Sequence, residues 1–370
     1  MFEFKINTLK ASVSPLYYIS KILGLAPFVI EANQYDLDGS LSVLYSCFIV
    51  CCICGLCSHH LYHFCNYVYI HESNNYMVSD ICSKVLIYGT AFLGVIMAVV
   101  YRKTLSMILE KISRIDNKLT LPSEYVKNFW MLILQIVLSN SLIVVIFVVS
   151  DIASSFDFTF VYYEAFAHVL GLIVVLQFIN IVQYIKYLYK LLNDKLYSDV
   201  GENVTVYKGN FPDLPSIYKD LQECLEHVNI CFSWQIIWVT GSCFIQLVTS
   251  LHDTITEIRS SSTFTESDNR LELIICQVLQ ILYYTSILLA ISISGQTCTR
   301  EANRILTVVH KLLLNKNLTR ELSAEFESFV MYYNTYKLKV TANDVFPVDM
   351  SLFQMVIAAV FIYLAILLQF

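Results

Sequence analysis

Seven stretches of nearly unbroken apolar residues, separated by polar segments, dominate the pattern of the chain. They run roughly Leu41–Tyr62, Lys84–Tyr101, Val126–Val149, Val161–Tyr184, Cys231–Ser250, Leu271–Ser294 and Asp349–Phe370. Each is close to the ~20 residues that a helix needs to cross a hydrocarbon layer of roughly 30 Å. The second is the shortest and is expected to begin a turn or more earlier, near Tyr76. The fourth carries Glu164 and His168, but its later part, Val169 to Ile181, is apolar enough to span. The pattern predicts an all-α membrane protein built as a seven-helix bundle.

Between the sixth and seventh runs, Gly295 to Val348 has helical periodicity of a different kind. Ile305, Val308, Val309 and Leu312 recur at helical spacing over Arg300–Leu314, with Arg304 and Lys311 on other faces. Phe326, Phe329, Val330 and Tyr333 repeat this over Leu322–Tyr336. Two amphipathic helices are expected there, as cytosolic helical extensions that prolong spans five and six below the membrane and pack with other subunits, or else lying on lipid.

Composition agrees with the pattern. Of 370 residues 56% are hydrophobic and 15% charged, where a soluble domain carries about a quarter charged residues. Mean hydropathy is +0.60. With only 10 glycines and 6 prolines, the chain is expected to be one integral domain and not a soluble domain with an anchor. Met1 to Ile22 mixes Glu3, Lys5, Lys10 and Lys21 with short apolar pieces and has no continuous apolar core of the signal-peptide kind.

The net charge of −6 says little about partners; where the cations lie says more. Lys5, Lys10 and Lys21 precede the first span. The second connection holds Arg102, Lys103, Lys111, Arg114, Lys118 and Lys127. The fourth holds Lys186, Lys190, Lys195, Lys208 and Lys219, and the sixth Arg300, Arg304, Lys311, Lys316, Arg320, Lys337 and Lys339. All of these fall on one side of a seven-span topology, leaving Lys84, Arg259 and Arg270 to complete the 24. The positive-inside rule puts the N-terminus in the cytosol and the C-terminus outside. The sequons Asn203-Val-Thr and Asn317-Leu-Thr then lie in the cytosol and should stay unglycosylated.

The last span has a distinctive phase. At 100° per residue, Gln354, Ala358, Phe361, Ala365 and Gln369 fall within an arc of about 80°, with Ser351 at its edge. Leu352, Met355, Val356, Val360, Tyr363 and Leu367 form the other face. An amide facing hydrocarbon is unfavourable, so Gln354 and Gln369 should meet a partner or water. The pattern alone fits helix packing through small residues, or a helix lining an aqueous path.

Polar residues in the other spans are few. Tyr163, Glu164 and His168 lie towards the outer part of span four, Gln277, Gln280, Tyr283 and Tyr284 towards that of span six, and Gln246 near the end of span five. They fit a small-molecule pocket or an interfacial belt. Glu164 with His168 would also suit a proton-coupled transporter, but no inverted repeat or broken helix pair accompanies them.

Most of the 12 cysteines lie in apolar runs and are read as small hydrophobes. Cys51, Cys54 and Cys57, followed by His59, His60 and His63, have a metal-like spacing without a completed ligand set, so no metal or cofactor is expected. A disulfide between Cys65 and Cys82 is compatible with the topology. Nucleotide and hydrolase signatures are absent, and no enzymatic or nucleic-acid function is expected.

The C-terminus carries a resemblance. Tyr363, five hydrophobic residues, then Gln369 and Phe370 resemble the ending of the insect gustatory receptor family, with Ile362 in place of the family's threonine. Ala342-Asn-Asp-Val-Phe346-Pro-Val-Asp349 is similar to the family's lead into its last span, and Lys21-Ile-Leu-Gly24-Leu-Ala-Pro27-Phe28 to its segment before the first. The resemblance implies a plasma-membrane channel of chemosensory neurons, a homo- or heterotetramer passing cations when a small-molecule tastant binds an outward pocket. Residues 1–348 would form the ligand-binding bundle, with 295–348 as a cytosolic inter-subunit anchor, and 349–370 the pore helix. Gln354, Ala358, Phe361, Ala365 and Gln369 would line the pore, with Gln369 at its constriction and Phe370 as a gate, while Tyr363 packs behind it. Leu364 stands where the family's sugar-receptor branch has glutamate, which argues against a sweet receptor. The alternatives are a G-protein-coupled receptor, for which neither Asp-Arg-Tyr nor Asn-Pro-x-x-Tyr is present, and the transporter.

Overall fold

A computed structural model describes residues 9–30, 35–36, 39–63, 74–119, 125–154, 158–202, 213–260, 270–314, 320–335 and 338–369. Ten helices form among them: α1 Leu9–Ile22, α2 Gly39–His63, α3 Asn74–Val100, α4 Arg102–Leu119, α5 Tyr125–Ser154, α6 Phe158–Glu202, α7 Asp213–Ser260, α8 Arg270–Leu313, α9 Arg320–Thr335 and α10 Met350–Leu367. Seven of them (α2, α3, α5, α6, α7, α8 and α10) are long and apolar enough to cross a membrane. The chain is thus a multi-pass membrane protein with the expected seven spans. The second starts at Asn74, two residues before the expected Tyr76. Asn203, Asn317, Cys65 and Phe370 lie outside the described residues.

Three helices are far longer than a span. At 1.5 Å per residue, α6, α7 and α8, with 45, 48 and 44 residues, reach about 65–70 Å, twice the hydrocarbon thickness. The excess lies at the lysine-rich end. The stretch from Arg300 to Leu313 continues the sixth span below the membrane, as expected, since no glycine or proline interrupts it after Gly295. Only α9 stands apart, and it packs back on α8. The Tyr333 hydroxyl has two acceptors for its one proton, the Ala302 carbonyl at 3.0 Å and Asn303 Oδ1 at 2.9 Å. Its ring sits 5.1 Å from Tyr218, which meets Tyr189 at 5.5 Å and Phe329 at 5.4 Å. This aromatic cluster ties α6, α7 and α9 together below the spans.

The second connection, read from its charges as a basic loop, contains α4. Leu105, Ile108, Ile112, Ile115 and Leu119 recur every three or four residues and are buried, while Lys103, Arg114 and Lys118 are exposed. Lys111 reaches across to Glu223, and at 3.9 Å to Asp220, on α7.

Glycines set two of the helix crossings. A Cβ on Gly89 would lie 2.6 Å from the Trp238 indole, whose Nε1 donates to the Leu86 carbonyl at 2.9 Å. A Cβ on Gly94 would lie 2.7 Å from Val174. Thus α3 approaches α7 and α6 closely only because these positions lack side chains.

The lead into α10 is a short hairpin of β3 (Thr341–Ala342) and β4 (Phe346–Pro347), with Thr341 opposite Pro347. Its turn holds Asn343 and Asp344 at φ +52° and +55°, which these residue types tolerate. Asn229 of α7 donates to the Lys339 carbonyl (2.9 Å) and accepts from the Thr341 amide (3.3 Å), and Ser233 accepts from the Asn343 amide (2.9 Å). A Cβ on Gly295 of α8 would overlap the Val348 carbonyl oxygen. The segment is thereby clamped by its backbone to both long helices. Asp349 then caps α10, accepting from the Ser351 amide at 2.8 Å.

Candidate functional site: the bundle pocket and the seventh helix

α10 packs on α7 and α8 through one stripe, Leu352, Val356, Val360 and Leu364, four residues apart. Gln354, Ala358, Phe361, Ala365 and Gln369, on the opposite side of the wheel, are all exposed in the single chain. The buried stripe differs from the expected apolar face. Met355 and Leu367 are exposed and Leu364 joins it, because α10 rests on the bundle along a row narrower than its apolar surface. Tyr363 is half-exposed, with its ring 6.1 Å from Phe244 of α7.

Towards the end of the bundle away from the lysines, α3, α6, α7 and α8 line a half-open pocket of about 350 Å³, part of it continuous with the outside. His168, Tyr283 and Tyr284 line this space with Thr90, Ser242 and Cys243. The Tyr284 hydroxyl is 3.5 Å from His168 Nε2, and the Tyr283 and Tyr284 rings meet edge to face at 5.1 Å. The remaining wall is apolar, with Ile87, Leu172, Val175, Val239 and Ile287, and Gly171 opens it towards Thr90. Such a lining suits a compact apolar molecule with one or two hydrogen-bonding groups.

The other residues singled out in the sequence lie around this pocket and not in its wall. Glu164 stands one turn from His168, with 3.9 Å between carboxylate and Nε2, within electrostatic reach of Lys84 and His60. Tyr163 packs against His59 at 5.9 Å. Gln246 is buried and bonds Ser83, tying α7 to α3. Gln280 accepts from Ser250 at 3.1 Å. The Gln277 carbonyl oxygen is buried with no hydrogen-bond partner among the described residues.

His60 is buried with its Nδ1 2.9 Å from the Tyr88 hydroxyl, and Cys51 and Cys54 face outward, so the cysteine–histidine spacing does not converge. Among the described residues no cluster is placed to hold a metal ion. The apolar pocket residues carry no signal in the sequence beyond apolarity. Gly171 alone, a glycine inside an apolar run, could have marked the opening.

The profile of the 7tm chemosensory receptor family matches residues 13–370, and the chain belongs to that family. Its fold is similar to the structure of the insect olfactory receptor OR5 from Machilis hrabei, with a TM-score of 0.72 at 12% identity over 98% of both chains. It is likewise similar to the structure of that receptor in complex with eugenol, with a TM-score of 0.69, 12% identity and the same coverage. No curated protein matches in sequence.

Proposed function

We propose that the chain is a gustatory receptor subunit, a cation channel of the plasma membrane of chemosensory neurons opened by a small-molecule tastant. The observation that carries this is the seventh helix. It is held to its own bundle by a single stripe and leaves Gln354, Ala358, Phe361, Ala365 and Gln369 exposed, with no partner for them among the described residues. Copies arranged around an axis, four in the arrangement that the family resemblance implies, would turn these faces together into a water-filled path. That arrangement resolves the cost of leaving glutamine amides in hydrocarbon. With the orientation that the cation bias supports, Gln369 would lie at the outer end of this path and the long ends of α6, α7 and α8 in the cytosol, where they would serve as the inter-subunit anchor that the resemblance implies.

The ligand would occupy the pocket of His168, Tyr283 and Tyr284. Few polar groups line it, and Leu364, where the sugar-receptor branch has glutamate, is buried against the bundle. A largely apolar, uncharged tastant fits better than a sugar. The relative solved with eugenol supports a compact ligand of this kind. Binding would favour an arrangement of α7 and α8 that moves the α10 helices resting on them, shifting the closed–open population.

Whole-cell recording against a tastant panel, with the co-subunits that a heteromer needs, tests the reading. A cation current independent of G proteins is expected. Gln369→Ala should change unitary conductance or selectivity. Glu164→Ala, which loosens His168, should raise the half-maximal ligand concentration about tenfold, or ~1.4 kcal/mol. A response that needs G proteins would establish the alternative receptor class, and flux without unitary openings a transporter.

A further inference from the structure

We propose that a second cavity, at the lysine-rich end of the bundle, holds one acyl chain of an anionic inner-leaflet phospholipid. It is a cleft of about 710 Å³, partly open to the surroundings, between α1, the segment after it, α4, α6 and α7.

The cavity follows from how the N-terminal segment folds. α1 ends in a Schellman cap. Gly24 has φ +73°, the Leu25 amide donates to the Ser20 carbonyl (2.8 Å), and the Gly24 amide to that of Lys21 (3.2 Å). The chain then turns inward and buries Leu25, Ala26 and Phe28. α1 packs chiefly along α5 and only lightly on α4 and α6, so a seam is left beneath it. Leu16, Phe28, Leu109, Ile112, Ile181 and Phe232 line that seam.

Its polar groups point to an ester-bearing amphiphile and not to plain hydrocarbon. Ser20 lines the cavity, is 1% exposed, and its Oγ has no hydrogen-bond partner among the described residues. A buried hydroxyl left unpaired is unfavourable, and an ester carbonyl supplies the missing acceptor. The next residue, Lys21, holds its ammonium 3.4 Å from the hydroxyl of Tyr17, itself part of the cavity wall. Lys21 also lines an adjoining open groove with Ser42 and Tyr45 of α2. A cation one residue from the orphaned hydroxyl matches a phosphate beside its ester.

Depth agrees. Gln177, Asn180 and Tyr184 lie near the end of the fourth span, just before Lys186 and Lys190, which puts the cavity at the inner leaflet in the charge-derived orientation. There phospholipid is the surrounding solvent. Val175 lines the ligand pocket and Gln177 this cavity, so a chain bound here would pack behind the same helix.

The test uses the full chain in phosphatidylcholine–phosphatidylserine nanodiscs doped with phosphatidylserine carrying a diazirine on one acyl chain. After photolysis, adducts are mapped by mass spectrometry. They should concentrate on peptides containing Leu16–Phe28 and Leu105–Ile112. Leu109→Trp, which fills the space, should reduce them at least about fivefold. Adducts on the lipid-facing Leu134 and Leu138 of α5 should not change. Ser20→Ala preserves the volume and should reduce cavity adducts about two- to threefold, which keeps the test decisive if the tryptophan variant fails to fold. Cavity labelling no denser than on α5, or insensitive to both variants, would overturn the proposal. Equal labelling by a diazirine fatty acid of the same chain length would overturn the phospholipid assignment.

Discussion

At Gly89 and Gly295 a hydrogen atom in place of a side chain is what the packing requires. Gly89→Ala would drive a methyl into the Trp238 indole, which is also held by its bond to Leu86. A loss of about 1–3 kcal/mol is expected, read as a lower thermal midpoint of the solubilised protein. Gly55, in the lipid-facing first span, has nothing within 4 Å of its Cβ position, so Gly55→Ala should be neutral or stabilising by up to ~1 kcal/mol. Gly295→Ala meets backbone and not a flexible side chain. It should displace the seat of the last helix and reduce evoked current about tenfold, with surface expression, followed by biotinylation, largely kept. The sequence shows that glycines stand at these positions, but it does not show what each one faces.

Among the elements, α4 shows how a correct observation can still mislead. Its cations mark a side of the membrane, while its stripe from Leu105 to Leu119 marks a buried helix face in the same residues. What the sequence cannot supply is the partner, since Lys111 meets Glu223 only because α4 folds back along α7. The ion pair holds the Glu223 carboxyl below its ordinary 4.5 and the Lys111 ammonium above its ordinary 10.5. Its contribution is therefore complete between those two values. It is lost as pH falls through the lowered value of Glu223, or rises through the raised value of Lys111. Because both groups are partly exposed, about 0.5–1 kcal/mol is expected. Lys111→Met should lower the thermal midpoint slightly at pH 7, and the difference from the parent should vanish well below pH 4.5. The candidate pocket has the same history. His168, Tyr283 and Tyr284 stood out as polar residues in apolar runs, as did Glu164, Gln246 and Gln280. Helix rotation sorted the first three into the wall and turned the others to Lys84, Ser83 and Ser250.

For the whole molecule, topology is the property most open to test. With the lysines in the cytosol, Asn203 and Asn317 should remain unmodified in a glycosylating cell, and a glycosidase-sensitive mass shift at either would reverse the orientation. The seven spans were determined by the sequence alone, because a bilayer forces every backbone polar group into a helix of sufficient length and apolarity. The polar phase of the last span was determined in the same way, by the fixed 100° step of a helix. Only the tertiary structure decided that this face is left uncovered while Leu352, Val356, Val360 and Leu364 hold α10 to α7 and α8. It also decided that α6 continues well beyond the membrane alongside the expected extensions of α7 and α8, and that two clefts lie against α6, one beside His168 and one beside Ser20. Those outcomes depend on how neighbouring helices rotate and how closely they approach. Side chains far apart along the chain set both, and no local pattern encodes them.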